Sequence, residues 1–188
     1  MHVGEAKVEA AMLRALGARP FGRLLDVGTG AGHVLELLGP RAVRAIGIDL
    51  SSEMLRIARA RLDQAGLVHC QVRQADMCAL PHEDASFDTV VLHQVLHYTH
   101  EPARALAECV RVLAPGGRLL VVDVAPHSRD ELRTDYAHAR LGFADAQIID
   151  WLNSAGLDAR VADHLEGKDL TVTLWLGERA DEARHQAA

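Results

Sequence analysis

Cysteine is scarce in this chain: three residues in 188, Cys70, Cys78 and Cys109, with no C-x-x-C pair among them. That supply excludes a disulfide framework and a zinc knuckle, and the odd thiol fits a reducing compartment. Basic runs are also missing. Twenty Lys and Arg stand against 26 Asp and Glu, a net charge of −6, and nowhere do cations cluster as a phosphate backbone demands. Nucleic acid is therefore not an expected partner. No apolar run approaches the roughly 20 residues of a membrane-spanning helix, and the N-terminus lacks the apolar core of a secretory signal. The expectation is a soluble, cytoplasmic protein without membrane contact. What the chain does have is apolar residues, 49% of the total, and a length that suits one domain with a sizeable core.

The chain is organised around Arg23-Leu24-Leu25-Asp26-Val27-Gly28-Thr29-Gly30-Ala31-Gly32-His33. Residues 24–27 read as a short buried strand. Gly28, Gly30 and Gly32 then form a turn in which positive φ costs little and no Cβ keeps a ligand from the backbone. Residues 34–38 are apolar at helical spacing, so the turn delivers free N–H groups to a helix N-terminus, a setting that favours carboxylate or phosphate. Such a turn can cradle a nucleotide cofactor or serve packing alone. A dinucleotide fingerprint would place its third glycine at His33, which argues against an oxidoreductase.

Around this turn, strands alternate with helices. A helix over 3–16 ends at Gly17, and a second strand over 42–50 carries Asp49, about 20 residues beyond Gly28, where a carboxylate can accept both hydroxyls of a ribose. Ser51 and Ser52 start a helix over 54–65. Strands over 68–73, 87–92 and 118–124 follow, with a helix over 102–113 and a turn over 114–117 before the last of them. This alternation predicts a mostly parallel sheet covered on both faces, with its ligand crevice outside the carboxyl ends of the strands. Asp26, Asp49, Asp76 and His93 all fall near such ends. Helices are expected over 129–141 and 145–154, then strands over 158–166 and 170–176. The short gap between these strands is too small for a crossover helix, so they must form an antiparallel hairpin. Residues 1–179 read as one domain and 180–188 as a flexible tail without an apolar face.

Leu25-Asp26-Val27-Gly28-Thr29-Gly30-Ala31-Gly32, Gly47-Ile48-Asp49-Leu50-Ser51, Ala75-Asp76, Phe87-Asp88 and Leu113-Ala114-Pro115-Gly116-Gly117-Arg118-Leu119 resemble the ordered motifs of class I S-adenosylmethionine-dependent methyltransferases. The resemblance implies a Rossmann-like α/β fold: a seven-stranded, mostly parallel sheet whose last strand is inserted antiparallel, with helices on both faces. The stretches 68–76, 93–98, 138–143 and 170–175 are further similar to methyltransferase domains fused behind ArsR-type winged-helix regulators. Within this sequence no DNA-binding segment is read before the methyltransferase part. An ArsR-type regulator, fused or separate, and a second copy of the chain are thus open as partners, beside a small-molecule acceptor.

Carried over residue by residue, the resemblance implies S-adenosyl-L-methionine as cofactor. It assigns Asp26, Gly28 and Gly30 to the methionine moiety, Asp49 to the ribose and Leu50 to the adenine. Asp76 would accept from the adenine amino group, Met77 would lie against the ring, and the backbone carbonyl of His93 would meet the cofactor amino group. Asp49 could instead cap the following helix, Asp76 could be a turn residue, and Met77 could belong to the core. The paired carboxylates and asparagine of metal-dependent relatives are missing after the fourth strand, so transfer without a metal is expected. His93 and His97 stand four apart, a spacing that puts two imidazoles on one helical face, yet no third ligand is apparent. If the acceptor arrives protonated, His93, His97, His127, Tyr136 and His138 are the candidate bases. Residues 126–143, with His127, Arg129, Arg133, Tyr136, His138 and Arg140, are expected to cover the substrate and to select a polar or anionic acceptor. Two alternatives stay open: thiolate-assisted methylation of a metalloid such as arsenite, and a module that senses S-adenosylmethionine for a transcriptional regulator without turnover.

Overall fold

The computed structural model describes residues 3–127 and 139–181. The expected helix over 129–141 and the tail over 180–188 therefore fall largely outside the described residues. Helix α1 (Glu5–Leu16) turns Val8, Ala11, Met12 and Leu16 inward and stops at Gly17, which holds φ +69° and donates its N–H to Leu13 and Arg14. Seven strands follow: β1 (Gly22–Val27), β2 (Ala42–Asp49), β3 (Cys70–Gln74), β4 (Phe87–His93), β5 (Leu113–Val124), β6 (Leu157–Glu166) and β7 (Thr171–Arg179). Helices α2 (His33–Leu38), α3 (Ser52–Gln64), α4 (Pro102–Val112) and α5 (Asp145–Ser154) connect them. Among the described residues no helix is long and apolar enough to cross a membrane.

The strands form one sheet in the order β3-β2-β1-β4-β5-β7-β6. All pairs from β3 to β5 are parallel, and β7 lies antiparallel between β5 and β6. The central strands are apolar on both faces because each face carries its own helical layer. Leu24, Ala45, Val91, Leu120 and Leu174 pack with α1, α2 and α3 on one side. Their chain neighbours Leu25, Ile46, Val90, Leu119 and Trp175 pack with α4 and α5 on the other. Each fully buried Leu or Val among them contributes roughly 1.5–3 kcal/mol. Trp175 also donates its Nε1–H to Asp145 Oδ1 at 2.9 Å, which fixes the start of α5 against β7.

Two expectations change. Strand β5 begins at Leu113, not at residue 118: Leu113 pairs with Phe87 and Arg118 with Thr89, so 114–117 bulge out of the ladder and do not precede it as a turn. The second concerns His93 and His97. His93 ends strand β4 and His97 lies in a 3-10 turn (Leu96–Tyr98), so the two imidazoles do not share a helical face and the geometry that suggested a metal pair is not formed. At the opposite end of the sheet, Arg23 forks onto Asp88 through Nε at 3.0 Å and Nη2 at 2.8 Å, locking β1 to β4 away from the ligand side.

Candidate functional site

Strands β1, β2 and β4 end side by side, and the chain leaves each of them around a cleft of about 510 Å³. The glycine turn after β1 forms one wall. Gly28 (φ +75°) and Thr29 both donate their N–H to Ile48 O, at 2.9 and 2.8 Å, which holds the turn against the end of β2. A Cβ on Gly28 would come within 2.2 Å of Val95 Cγ2, whereas one on Gly30 (φ +50°) would enter open space. Close approach to the backbone at this wall is thus built into the residue types.

Asp49 closes the neighbouring wall. Its Oδ2 accepts the Gly30 N–H at 2.9 Å and its Oδ1 accepts the Ser51 N–H at 2.8 Å, so the carboxylate is fixed in orientation and each oxygen keeps a further lone pair. Helix capping is handled separately, because Ser51 Oγ accepts from Met54 N. Beside Asp49 the cleft is apolar: Leu50 and Met54 are 62% and 39% exposed, and Ala75 and Met77 complete this side. Large apolar side chains left exposed around a concave surface mark a place for a flat apolar group.

The third wall comes from β4. His93, Gln94, Val95 and Tyr98 line it. Gln94 holds φ +53° while its N–H donates to Val122 O at 2.7 Å, a strained backbone of the kind kept at ligand sites. Burial pushes the His93 imidazole below its usual pKa, with Asp123, Glu5 and Glu9 opposing the shift and His33 adding to it, so it is neutral at pH 7. Burial raises the Tyr98 phenol, and the Asp123 charge adds to that.

Of the residues singled out from the sequence, Gly28, Gly30, Asp49, Leu50, Met77 and His93 lie on this cleft. Asp26 does not. Two residues after Leu24 on the same face of β1, it is 1% exposed beneath the turn, with the Thr29 side chain as its polar neighbour. Desolvation pushes its pKa up to about 7; Asp49 adds to this, while Thr29 and His33 offset it in part. Asp76 is exposed and accepts the Cys78 N–H at 2.8 Å in a tight turn, off the cleft lining. His97 is buried behind the wall: its Nδ1 meets Asp123 Oδ1 at 2.7 Å, and its carbonyl accepts from Ala139 and Arg140. Tyr136, Arg129, Arg133 and His138 lie outside the described residues. Thr29, Ile48, Met54, Gln94, Val95 and Tyr98 are cleft residues that sequence reading did not single out; their only signal was adjacency to the motifs.

Residues 25–121 match the model of a family described as a methyltransferase domain. The chain belongs to this methyltransferase-domain family. It is 42% identical over 132 residues to an uncharacterized 37.1 kDa protein in transposon TN4556 of Streptomyces fradiae, covering 68% of this chain and 36% of that one. It is 32% identical over 112 residues to the uncharacterized methyltransferase YcgJ of Bacillus subtilis, covering 60% and 44%. The crystal structure of YcgJ superposes with a TM-score of 0.82 at 20% identity, covering 94% of this chain and all of that one. A demethylmenaquinone methyltransferase of Renibacterium salmoninarum is 34% identical over 122 residues, covering 65% and 49%. The matches thus span from about a third to half the length of these curated relatives.

Proposed function

We propose that this methyltransferase domain binds S-adenosylmethionine in the cleft and directs methyl transfer to a small-molecule acceptor. The observation that carries the reading is Asp49, a carboxylate held by two backbone N–H groups between a glycine turn and an apolar shelf. The residues fit the cofactor. Asp49 would accept from the ribose hydroxyls, Leu50, Met54 and Met77 would lie against the adenine, and the glycine wall with His93 and Gln94 would receive the methionine end. Asp26, buried beneath that wall, would support the turn and attract the positive amino group. Asp76 would receive the adenine amino group only through its exposed carboxylate. A demethylmenaquinone methyltransferase among the relatives supports a small organic acceptor.

The cofactor's sulfonium carries a methyl group that is already activated for transfer to a nucleophile. The chain's task is accordingly positioning and exclusion of water. The strained Gln94 backbone and the neutral His93 ring stand at the end of β4, where an acceptor can approach; a neutral imidazole there can take a proton from an acceptor that arrives protonated. His97 would act only by holding the wall through Asp123. No cysteine lines the cleft: Cys78 Sγ faces Thr99 Oγ1 at 3.5 Å, and Cys109 is fully buried with its thiol pushed upward by desolvation. This arrangement weighs against thiolate-assisted metalloid transfer.

Calorimetric titration with S-adenosylhomocysteine tests the reading. Two hydrogen bonds to an ionised acceptor contribute roughly 1.5–3 kcal/mol each, so Asp49→Ala is expected to weaken binding at least about tenfold, on the order of 1.4 kcal/mol. Unchanged affinity would remove Asp49 from the site, and tight binding of NAD instead would overturn the reading. The partnership with an ArsR-type regulator rests on the motif resemblance alone and is tested by co-purification with such a regulator.

A further inference from the structure

A second cavity, of about 180 Å³, adjoins the cleft on the far side of His93 and Gln94, which line both spaces. Its remaining walls come from α1 and the start of α2. Val3, Val8, Met12, Val34 and Leu37 make it mostly apolar, and Glu5, Glu9 and His33 form a polar corner. There the two carboxylates converge on a single imidazole: His33 Nε2 lies 2.8 Å from Glu9 Oε1 and 3.2 Å from Glu5 Oε1. Among the described residues no lysine or arginine lines it. The corner is therefore negative whichever way His33 is protonated, with two carboxylates against at most one cation.

We infer that this cavity holds the methyl acceptor, and that the acceptor is a small apolar molecule bearing a cationic nitrogen. The cavity is smaller than the roughly 300–1,000 Å³ that takes a drug-sized ligand, so a short aliphatic or single-ring body fills it. It opens onto the His93–Gln94 wall, where an acceptor atom would meet the methyl donor, and its Glu5 and Glu9 carboxylates attract an ammonium group and repel a carboxylate or phosphate. This departs from the anionic side of the sequence-based expectation of a polar or anionic acceptor, which rested on His127, Tyr136, His138 and the arginines in residues 126–143. Of these, Arg140 donates to His100 O, and Arg129 and Arg133 lie outside the described residues. The inference rests on the methyltransferase reading for what happens at the shared wall, and on the cavity's own lining for the charge of the ligand.

Hexylammonium, hexanol and hexanoate share a chain and differ in head-group charge, which makes them suitable probes. Chemical-shift titrations are run with and without S-adenosylhomocysteine, on the wild type and on the E5Q/E9Q double variant. Expected is binding of hexylammonium at least about tenfold tighter than of the other two, a preference abolished in E5Q/E9Q, with affinity for S-adenosylhomocysteine altered less than about twofold. The single variant E9Q, expected to show an intermediate loss, keeps the test open if the double variant folds poorly. No preference for the ammonium probe, whether all three bind alike or none binds, overturns the inference. So does stoichiometric zinc uptake that E9Q removes, since that would assign the corner to a metal. Failure of S-adenosylhomocysteine to bind the wild type would instead sink the methyltransferase reading while leaving the head-group preference measurable.

Discussion

Replacing Asp26 with Asn isolates the energetics of the carboxyl beneath the glycine turn. Its pKa is raised from 3.8 to about 7, chiefly by desolvation. At 1.36 kcal/mol per unit, the full window between those values corresponds to about 4 kcal/mol. The sign follows from proton binding: above pH 3.8 the unfolded chain releases this proton while the folded chain keeps it, so stability falls as pH rises and levels off above 7. Between pH 5 and pH 8 the Asp26 contribution should fall by about 2.5 kcal/mol. His82 and His93, both lowered by burial, act in the opposite direction as the pH passes their range, which makes the wild-type curve alone uninformative. The difference between wild type and Asp26→Asn cancels them. Urea denaturation of both proteins without cofactor at intervals across pH 5–8 measures it; the wild type should lose about 2.5 kcal/mol relative to the variant. A difference that stays flat to within about 0.5 kcal/mol would refute the idea of a desolvated carboxyl titrating near neutrality.

Gly28→Ala, which places a Cβ against Val95 at positive φ, should cost about 2–4 kcal/mol in denaturant unfolding, and Gly30→Ala, strained but facing open space, about 1 kcal/mol; equal losses would contradict the packing described at this turn. His97→Ala should destabilise by about 3 kcal/mol because it strips the side-chain partner from the wholly buried Asp123, whereas His93→Gln should leave the melting temperature nearly unchanged and lower turnover. Joint replacement of Cys70, Cys78 and Cys109 by Ala should preserve S-adenosylhomocysteine affinity, and a folded triple variant that binds cofactor but loses all turnover would restore the metalloid alternative.

The sheet was largely legible because its signals are local. Alternating strands and helices, and a linker between β6 and β7 too short for a crossover, dictate the parallel body and the hairpin. Asp49 was legible for the same reason: its distance from Gly28 reports the end of a neighbouring strand. The burial of Asp26 was not legible, because a motif names a residue without saying on which face the strand turns it; its sharing a face with Leu24 sends it under the turn. His97 meets Asp123 across 26 residues with no pattern to announce it. Likewise Glu5 and Glu9 read as the polar edge of an amphipathic helix, and only the packing of α1 beside α2 brings His33 to them. The start of β5 was misplaced because Pro115-Gly116-Gly117 has the composition of a turn, whereas the ladder tolerates it as a bulge.

The position of β7 shapes how the chain must mature during synthesis. Among the described residues, those that line the cleft all precede residue 99, and the strands that carry them pair among themselves. Strand β5, largely apolar but for Arg118 and Asp123, meanwhile waits for its second neighbour, β7, which begins only at Thr171. Through that interval a nascent chain already carries the residues of the cleft while presenting a long, mostly apolar open strand, the template on which misassociation starts. Stalled or truncated products ending before residue 171 should therefore be binding-competent and aggregation-prone at once, and quality control would have to recognise them by that bare edge.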